Sequence, residues 1–258
     1  MAKKADVVRI HGSDSEVYEL LAGYRDENGI VHTEFQVREM TGVEEEAISR
    51  NEIKSNGGKV IRTLIERCCT RIGTYEQSAL KEKEWRDIIQ SLTVGDQDYI
   101  MLKIREVTIG KEIEVTHKCP NCKQELVTVL DIDELEINPF KGDWEIDFEL
   151  PRGYVDKEGN VYTKGKLRFP NGYDREALDQ VARNNIGLAN TMLLTRCIVD
   201  FSGLKVHDSL VKSLSYKDRD YLLNLLKDNQ FGVKLETEVT CVSCGESFVG
   251  NMNMANFL

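Results

Sequence analysis

One ordered pattern runs through this chain twice. Tyr18 to Thr33 reads YELLAGYRDENGIVHT and Phe148 to Thr163 reads FELPRGYVDKEGNVYT. Glu19, Leu20, Gly23, Tyr24, Asp26, Gly29, Val31 and Thr33 thus recur as Glu149, Leu150, Gly153, Tyr154, Asp156, Gly159, Val161 and Thr163. TGVEEEAI from Thr41 is answered by NGYDREAL from Asn171, and Arg67-Cys68 by Arg196-Cys197. SLTVGDQDY from Ser91 then answers SLSYKDRDY from Ser213, and CPNC from Cys119 answers CVSC from Cys241. Similarity kept in a fixed order indicates an internal duplication. Two related units can pack about a pseudo-twofold axis, which would bring two distant half-sites together.

Each unit opens on a β-hairpin signal. Asp26-Glu27-Asn28-Gly29 and Asp156-Lys157-Glu158-Gly159 supply turn residues, with a glycine free to take positive φ. Helix starts follow. Thr41 with Glu44, Asn171 with Asp174, Thr93 with Asp96 and Ser215 with Asp218 have the spacing of an N-cap and a third-position acid. Val60, Leu64, Cys68 and Ile72 form an apolar stripe at helical period, and Leu193, Cys197 and Phe201 repeat it. Strand-like residues, including Ile113, Val115, Leu126 and Val127, surround the first cysteine pair; Leu235, Phe248 and Val249 surround the second. The expected fold is α+β: a hairpin–helices–cysteine-hairpin unit made twice, with a zinc-ribbon-like site joining the halves. Its predicted parts are an N-terminal arm (1–17), a first repeat with the CPNC knuckle (18–140) and a second with the CVSC knuckle (141–258). The short Asn138-Pro139-Phe140-Lys141-Gly142 boundary predicts packed halves.

A formal net charge of −10 argues against nucleic acid, whose phosphates need clustered Lys and Arg. The only short basic cluster is Lys3-Lys4. No apolar run reaches membrane-spanning length, and MAKKADVVRIHG lacks the apolar core of a signal peptide. These readings predict a chain folded in a cytosol, without membrane insertion. There, seven cysteines do not read as a disulfide framework. Cys68, Cys69 and Cys197 fall among apolar residues at helical spacing and read as small core side chains.

Cys119, Cys122, Cys241 and Cys244 are the candidate metal ligands. A structural zinc site takes four thiolates in a tetrahedron, and neither pair alone supplies four. The familiar two-pair ribbon has a short interval between its pairs, whereas here the second repeat intervenes. The duplication restores the argument, because equivalent hairpins facing one another close a single four-cysteine site. Reduced thiols without metal, and one pair per protomer bridging an oligomer, remain the alternatives. Gly245 suits a positive φ after its cysteine; Lys123 suits it less well.

A thioredoxin-like motif needs its cysteine at a helix N-terminus, and strand-like flanks disfavour that. His117 stands two residues before Cys119, but Val239 takes its place in the second copy, so it reads as exposed or as a neighbour of the ligands. No histidine, carboxylate and nucleophile set suggests a hydrolase. Asp96, Asp98, Asp218 and Asp220 recur at one helix start and read as caps and dipole partners rather than catalytic acids. Glu44-Glu45-Glu46 reads as the solvated first turn of a helix.

The combined pattern resembles the phage T4-type baseplate hub and hub-assembly proteins. The resemblance is carried by Arg38-Glu39-Met40-Thr41-Gly42-Val43-Glu44 and Arg168-Phe169-Pro170-Asn171-Gly172-Tyr173-Asp174. It continues through Thr191 to Ile198, Leu214 to Asp220 and the Cys241-Val242-Ser243-Cys244-Gly245 knuckle. The resemblance implies a non-enzymatic part of a contractile phage tail baseplate hub, or of a related injection machine. Its partners would be other baseplate or tail proteins, with room for a homo-oligomer. It would assemble in the host cytoplasm and reside in the virion tail baseplate. A tail-assembly chaperone is the alternative reading, and a cytosolic thiol oxidoreductase the remote one.

Overall fold

Asp26 explains why the first turn closes. Its carboxylate accepts the amides of Asn28 (2.9 Å) and Ile30 (2.8 Å), and Gly29 takes φ +80°. Asp156 holds Glu158 and Asn160 in the same way, with Gly159 at φ +89°. The turns join β1 (Tyr18–Arg25) to β2 (Val31–Val37), and β8 (Glu145–Val155) to β9 (Val161–Arg168), both antiparallel. The computed structural model describes residues 16–251, so the arm expected over 1–17 falls almost wholly outside the described residues, as does Lys3-Lys4.

After the first hairpin come α1 (Gly42–Ile48), α2 (Asn51–Lys54) and α3 (Gly57–Cys68), which runs straight into β3 (Cys69–Ile72) and then β4 (Tyr75–Glu76). α4 (Glu82–Ser91) and α5 (Val94–Ile109) lead to a second hairpin, β5 (Glu112–Lys118) and β6 (Glu125–Asp131), and to the short β7 (Ile137–Asn138). Following β8 and β9, α6 (Gly172–Asn184) and α7 (Ile186–Cys197) run into β10 (Ile198–Asp200). α8 (Asp208–Ser213), α9 (Tyr216–Asp228), β11 (Gly232–Val233), β12 (Glu236–Thr240) and β13 (Ser247–Asn251) complete the order. One sheet is β1-β2-β3-β4, another β10-β9-β8, and β5-β6, β12-β13 and β7-β11 are two-stranded. The mixture of helix and strand is the expected α+β class.

The predicted caps form. Thr41 and Asn171 each receive an amide and are answered by the Glu44 and Asp174 carboxylates in a capping box. Thr93 and Ser215 cap α5 and α9. Two acids do more than the caps required. Asp96 is fully buried and accepts the amides of Leu21 (2.8 Å) and Ala22 (3.0 Å) where the β1 register shifts beside Gly23 (φ +91°). Asp218 accepts the Arg152 amide (2.8 Å) at the matching bulge beside Gly153. Each acid thus ties a hairpin bulge to a helix start.

Glu44 corrects the expectation of a solvated turn. Only Glu45 and Glu46 are exposed; Glu44 is buried against Arg38 at 2.9 Å. Burial alone would raise its carboxyl, but Arg38 and the Thr41 hydroxyl and amide outweigh that and hold it at about 2. Asp174 does the same in the second half, between Arg168 (2.6 Å) and Arg196 (2.5 Å).

Two apolar cores result. The first gathers Phe35, Leu64, Ile65, Ile72, Ile89 and Ile104 with their neighbours; the second gathers Phe148, Leu167, Leu194, Phe201, Val211 and Leu222. Cys68, Cys69 and Cys197 are buried core residues as expected, and burial pushes the Cys68 and Cys197 thiols up to about 12. A third, small cluster contains Cys119, Leu126, Val239 and Cys241.

Candidate metal centre and the joint between the halves

Both cysteine pairs sit in hairpin turns of one design. The Cys119 amide donates to the Gln124 carbonyl (2.9 Å) and the Lys123 amide back to the Cys119 carbonyl (3.1 Å). Cys241, Glu246 and Gly245 repeat both bonds, each at 2.8 Å. The turn needs a left-handed residue, supplied by Gly245 (φ +74°) and, against its preference, by Lys123 (φ +64°). Cys119 and Cys241 are buried while Cys122 and Cys244 face outward.

The β5-β6 and β12-β13 hairpins bring their turns together crosswise. Cys119 Sγ lies 3.7 Å from Cys244 Sγ, and Cys122 Sγ lies 3.6 Å from Cys241 Sγ. All four sulfurs fall within 4.8 Å of one another. Four thiols so placed can bind a metal ion. Burial would raise the Cys241 thiol, but the Cys244 and Ser243 amides and the neighbouring thiols outweigh it and bring it down to about 7. Neither pair caps a helix, so the dipole-activated arrangement of a thioredoxin motif is missing. His117 is buried rather than exposed; its ring lies edge-on to Phe248, 6.4 Å between centroids, and fills the space over Gly250. It therefore packs beneath the cysteine turns instead of facing solvent.

The helical bodies meet at a second, larger place. Asp98, expected as a cap or dipole partner at a helix start, is buried and receives Arg175 Nη2 at 2.7 Å. Glu176 accepts Arg62 Nε (2.8 Å) and Gln90 Nε2 (2.9 Å), and its carbonyl accepts Asn56 Nδ2 (2.9 Å). Two glycines permit the approach. A Cβ on Gly58 would come within 2.6 Å of Glu176 Cα, and one on Gly172 would collide with Gln97 and Gln90. Val94 N–H donates to the Pro170 carbonyl (2.9 Å) and Gly172 N–H to that of Leu92 (3.2 Å), making a short backbone bridge.

This contact is one-sided. α3, α4 and α5 of the first half grip α6 of the second. A Cβ on Gly42 would have nothing within 4 Å, and one on Gly187 would meet only Asn185 Oδ1, at 3.5 Å. The hairpin turns face each other crosswise; the helical bodies stack in one direction.

Sequence reasoning found the cysteines and missed the Asp98–Arg175 pair and the paired glycines. Arg175 is 77 positions from Asp98, and no local spacing links them. Asp98 faces the second half only because α5 does.

Among the described residues no helix is long and apolar enough to cross a membrane. No curated protein and no solved structure matches the chain. A family model described as T4 bacteriophage base plate protein matches residues 26–202, a stretch that includes Cys119 and Cys122 and ends before Cys241. The β1-β2 and β8-β9 hairpins, the one-sided helical joint and the first cysteine turn lie within or border that stretch, and the chain belongs to the T4 bacteriophage base plate protein family, with a structural role in the phage tail baseplate.

Proposed function

We propose that the chain is a non-enzymatic component of the baseplate hub, built from two copies of one unit (18–140 and 141–258) and locked by a zinc ion on Cys119, Cys122, Cys241 and Cys244. The observation that carries the reading is the crosswise meeting of the two cysteine turns, because it unites residues far apart in sequence. Its spacing supports zinc: four thiolates at a Zn–S distance of about 2.3 Å span edges of about 3.8 Å, against 3.6 and 3.7 Å here. The repeated hairpin turns, capping boxes and buried bulge-holding aspartates support the duplication. The zinc would lend no reactivity; it fixes how the two turns face each other. Assembly in the host cytoplasm and residence in the virion tail would fit the family role.

The test is removal of the protein during phage production. Tails should lack a proper baseplate, and purified particles should contain the chain in fixed stoichiometry with one zinc each. Normal baseplates without it would defeat the structural role. Presence in assembly intermediates but not in finished particles would instead assign it to the assembly chaperones, and thiol exchange lost in Cys119→Ser to the oxidoreductases.

A further inference from the structure

Three asparagines in the chain are followed by glycine: Asn28-Gly29, Asn56-Gly57 and Asn171-Gly172. The fold holds two of them and leaves the first free. Asn56 is buried; its Oδ1 accepts the Lys59 amide (3.0 Å) and its Nδ2 donates to the Glu176 carbonyl (2.9 Å). Asn171 Oδ1 accepts the Asp174 amide (3.2 Å), and the buried Gly172 donates its amide to the Leu92 carbonyl (3.2 Å). Asn28 and Gly29 are both exposed at the tip of the β1-β2 turn. Among the described residues no group bonds the Asn28 side chain.

We propose that Asn28 is a site of spontaneous covalent modification, in which the Gly29 nitrogen attacks the Asn28 side-chain amide. The Gly29 N–H gives up its proton and its nitrogen forms a bond to Asn28 Cγ. The bond from Cγ to the side-chain nitrogen breaks, ammonia leaves with that proton, and a five-membered succinimide ring remains. Water then opens the ring at one of its two carbonyls. One opening leaves an aspartyl residue at position 28; the other leaves an isoaspartyl residue, whose backbone runs through Cγ. Water is the only co-reactant. Glycine serves as the attacking neighbour because it has no side chain to obstruct the approach.

At this turn the attack needs only the Gly29 amide to leave the Asp26 carbonyl (3.0 Å), an exposed bond that opens locally. Arg25 adds a second cause. A Cβ on Gly29 would lie 3.8 Å from Arg25 Nη2 and 3.9 Å from its Nε, so a guanidinium stands beside the residue whose amide must lose a proton. A neighbouring cation favours that anion. The β8-β9 turn has Glu158-Gly159 and Val155 at the matching places, and so offers neither an amide leaving group nor the cation. An isoaspartyl residue inserts an extra methylene into the backbone of the first turn. Asp26 Oδ1 then loses the spacing that lets it accept the amides of residue 28 and Ile30 together. Asp26 Oδ2, which faces His32 Nε2 (3.3 Å) and Tyr75 Oη (3.4 Å), is displaced with it.

Ageing of the reduced full chain in mildly alkaline buffer, followed by peptide mapping, tests this. Position 28 should gain the mass difference between an amide and a carboxyl. It should lead Asn56 and Asn171 by about fivefold or more, the factor for one further net hydrogen bond to break. In the unfolded chain the three positions should react at similar rates. An isoaspartyl carboxyl methyltransferase with labelled S-adenosylmethionine should mark the aged chain strongly and aged Asn28→Gln weakly. Arg25→Gln should slow the reaction in the folded chain alone, and Arg25→Lys should keep most of the rate. Hydrogen exchange in the aged chain should rise in β1 and β2 and stay unchanged in β8 and β9. Asn56 or Asn171 reacting first overturns the proposal, as does a position 28 that stays intact in the folded chain while the unfolded chain reacts there. A full rate in Arg25→Gln overturns the part given to Arg25.

Discussion

The halves meet at the helical joint, at the cysteine turns and along the short β7–β11 pairing, and the first two are of opposite character. The helical joint is densely bonded, with a buried ion pair, a carboxylate with two donors, a backbone bridge and glycine-permitted contact. The cysteine joint is not. Around its four sulfurs the apolar cluster amounts to Leu126 and Val239, with Phe248 against them. Burial of so few side chains, at about 1.5–3 kcal/mol each, does not account for two hairpins held turn to turn. The difference teaches that the helices are held by packing and buried polar bonds, whereas the four thiols, which could bind a metal ion, have little packing of their own.

The largest effect should come from the ligation side. Chelation, Cys122→Ser or Cys244→Ser should release the hairpin turns, since structural zinc can contribute roughly 10–16 kcal/mol in small peptides. Hydrogen exchange should rise sharply in β5, β6, β12 and β13 while α3, α5 and α6 keep their protection. Loosening of the helices to the same degree would break the comparison.

Next comes the packing side. Asp98→Ala leaves Arg175 without its buried partner and should cost about 3–5 kcal/mol in denaturant unfolding, with the metal retained. Asp220→Ala, at the exposed counterpart, should cost under about 0.5 kcal/mol. Equal costs would mean that Asp98 does not join the halves.

Acid should discriminate the halves from their joints. Glu44 lies inside the first half, and its folded carboxyl is held at about 2 against an ordinary 4.5. The lowered value stabilises the fold above about pH 4.5, and that contribution is lost as pH falls toward 2. The full amount is about 3 kcal/mol. Glu44→Gln should flatten this part of the acid profile, and an unchanged profile would show that the Arg38 pair does not stabilise the folded state.

The smallest change sharpens the glycine contrast. Gly58→Ala should cost about 1–3 kcal/mol by overpacking against α6. Gly187→Ala should gain about 0.5–1 kcal/mol, the ordinary helical preference for alanine. Calorimetry at low concentration reads both.

The features legible in the sequence are those that act over a few residues. Thr41, Asn171, Thr93 and Ser215 announce caps because cap and amide lie within one turn, and Asp26 and Asp156 announce their hairpins for the same reason. The cysteines are legible through their repetition, which stands in for the missing short interval. Glu44 escapes a local reading because the Arg38 that buries it approaches from the end of the preceding strand. Asp98 and Glu176 are out of reach because their partners come from the other half.

Cys119 and Cys244 stand 125 positions apart, and this has a consequence in time. A chain growing at roughly 5–20 residues per second takes about 6–25 s to pass from one to the other. Through that interval the first knuckle, already carrying Lys123 in a conformation that lysine resists, has only half of its sulfur cluster. The cluster waits for the second hairpin to emerge. Closure of the four thiols is therefore a late event of biosynthesis, and a chain truncated before residue 241 never completes the knot between the two turns.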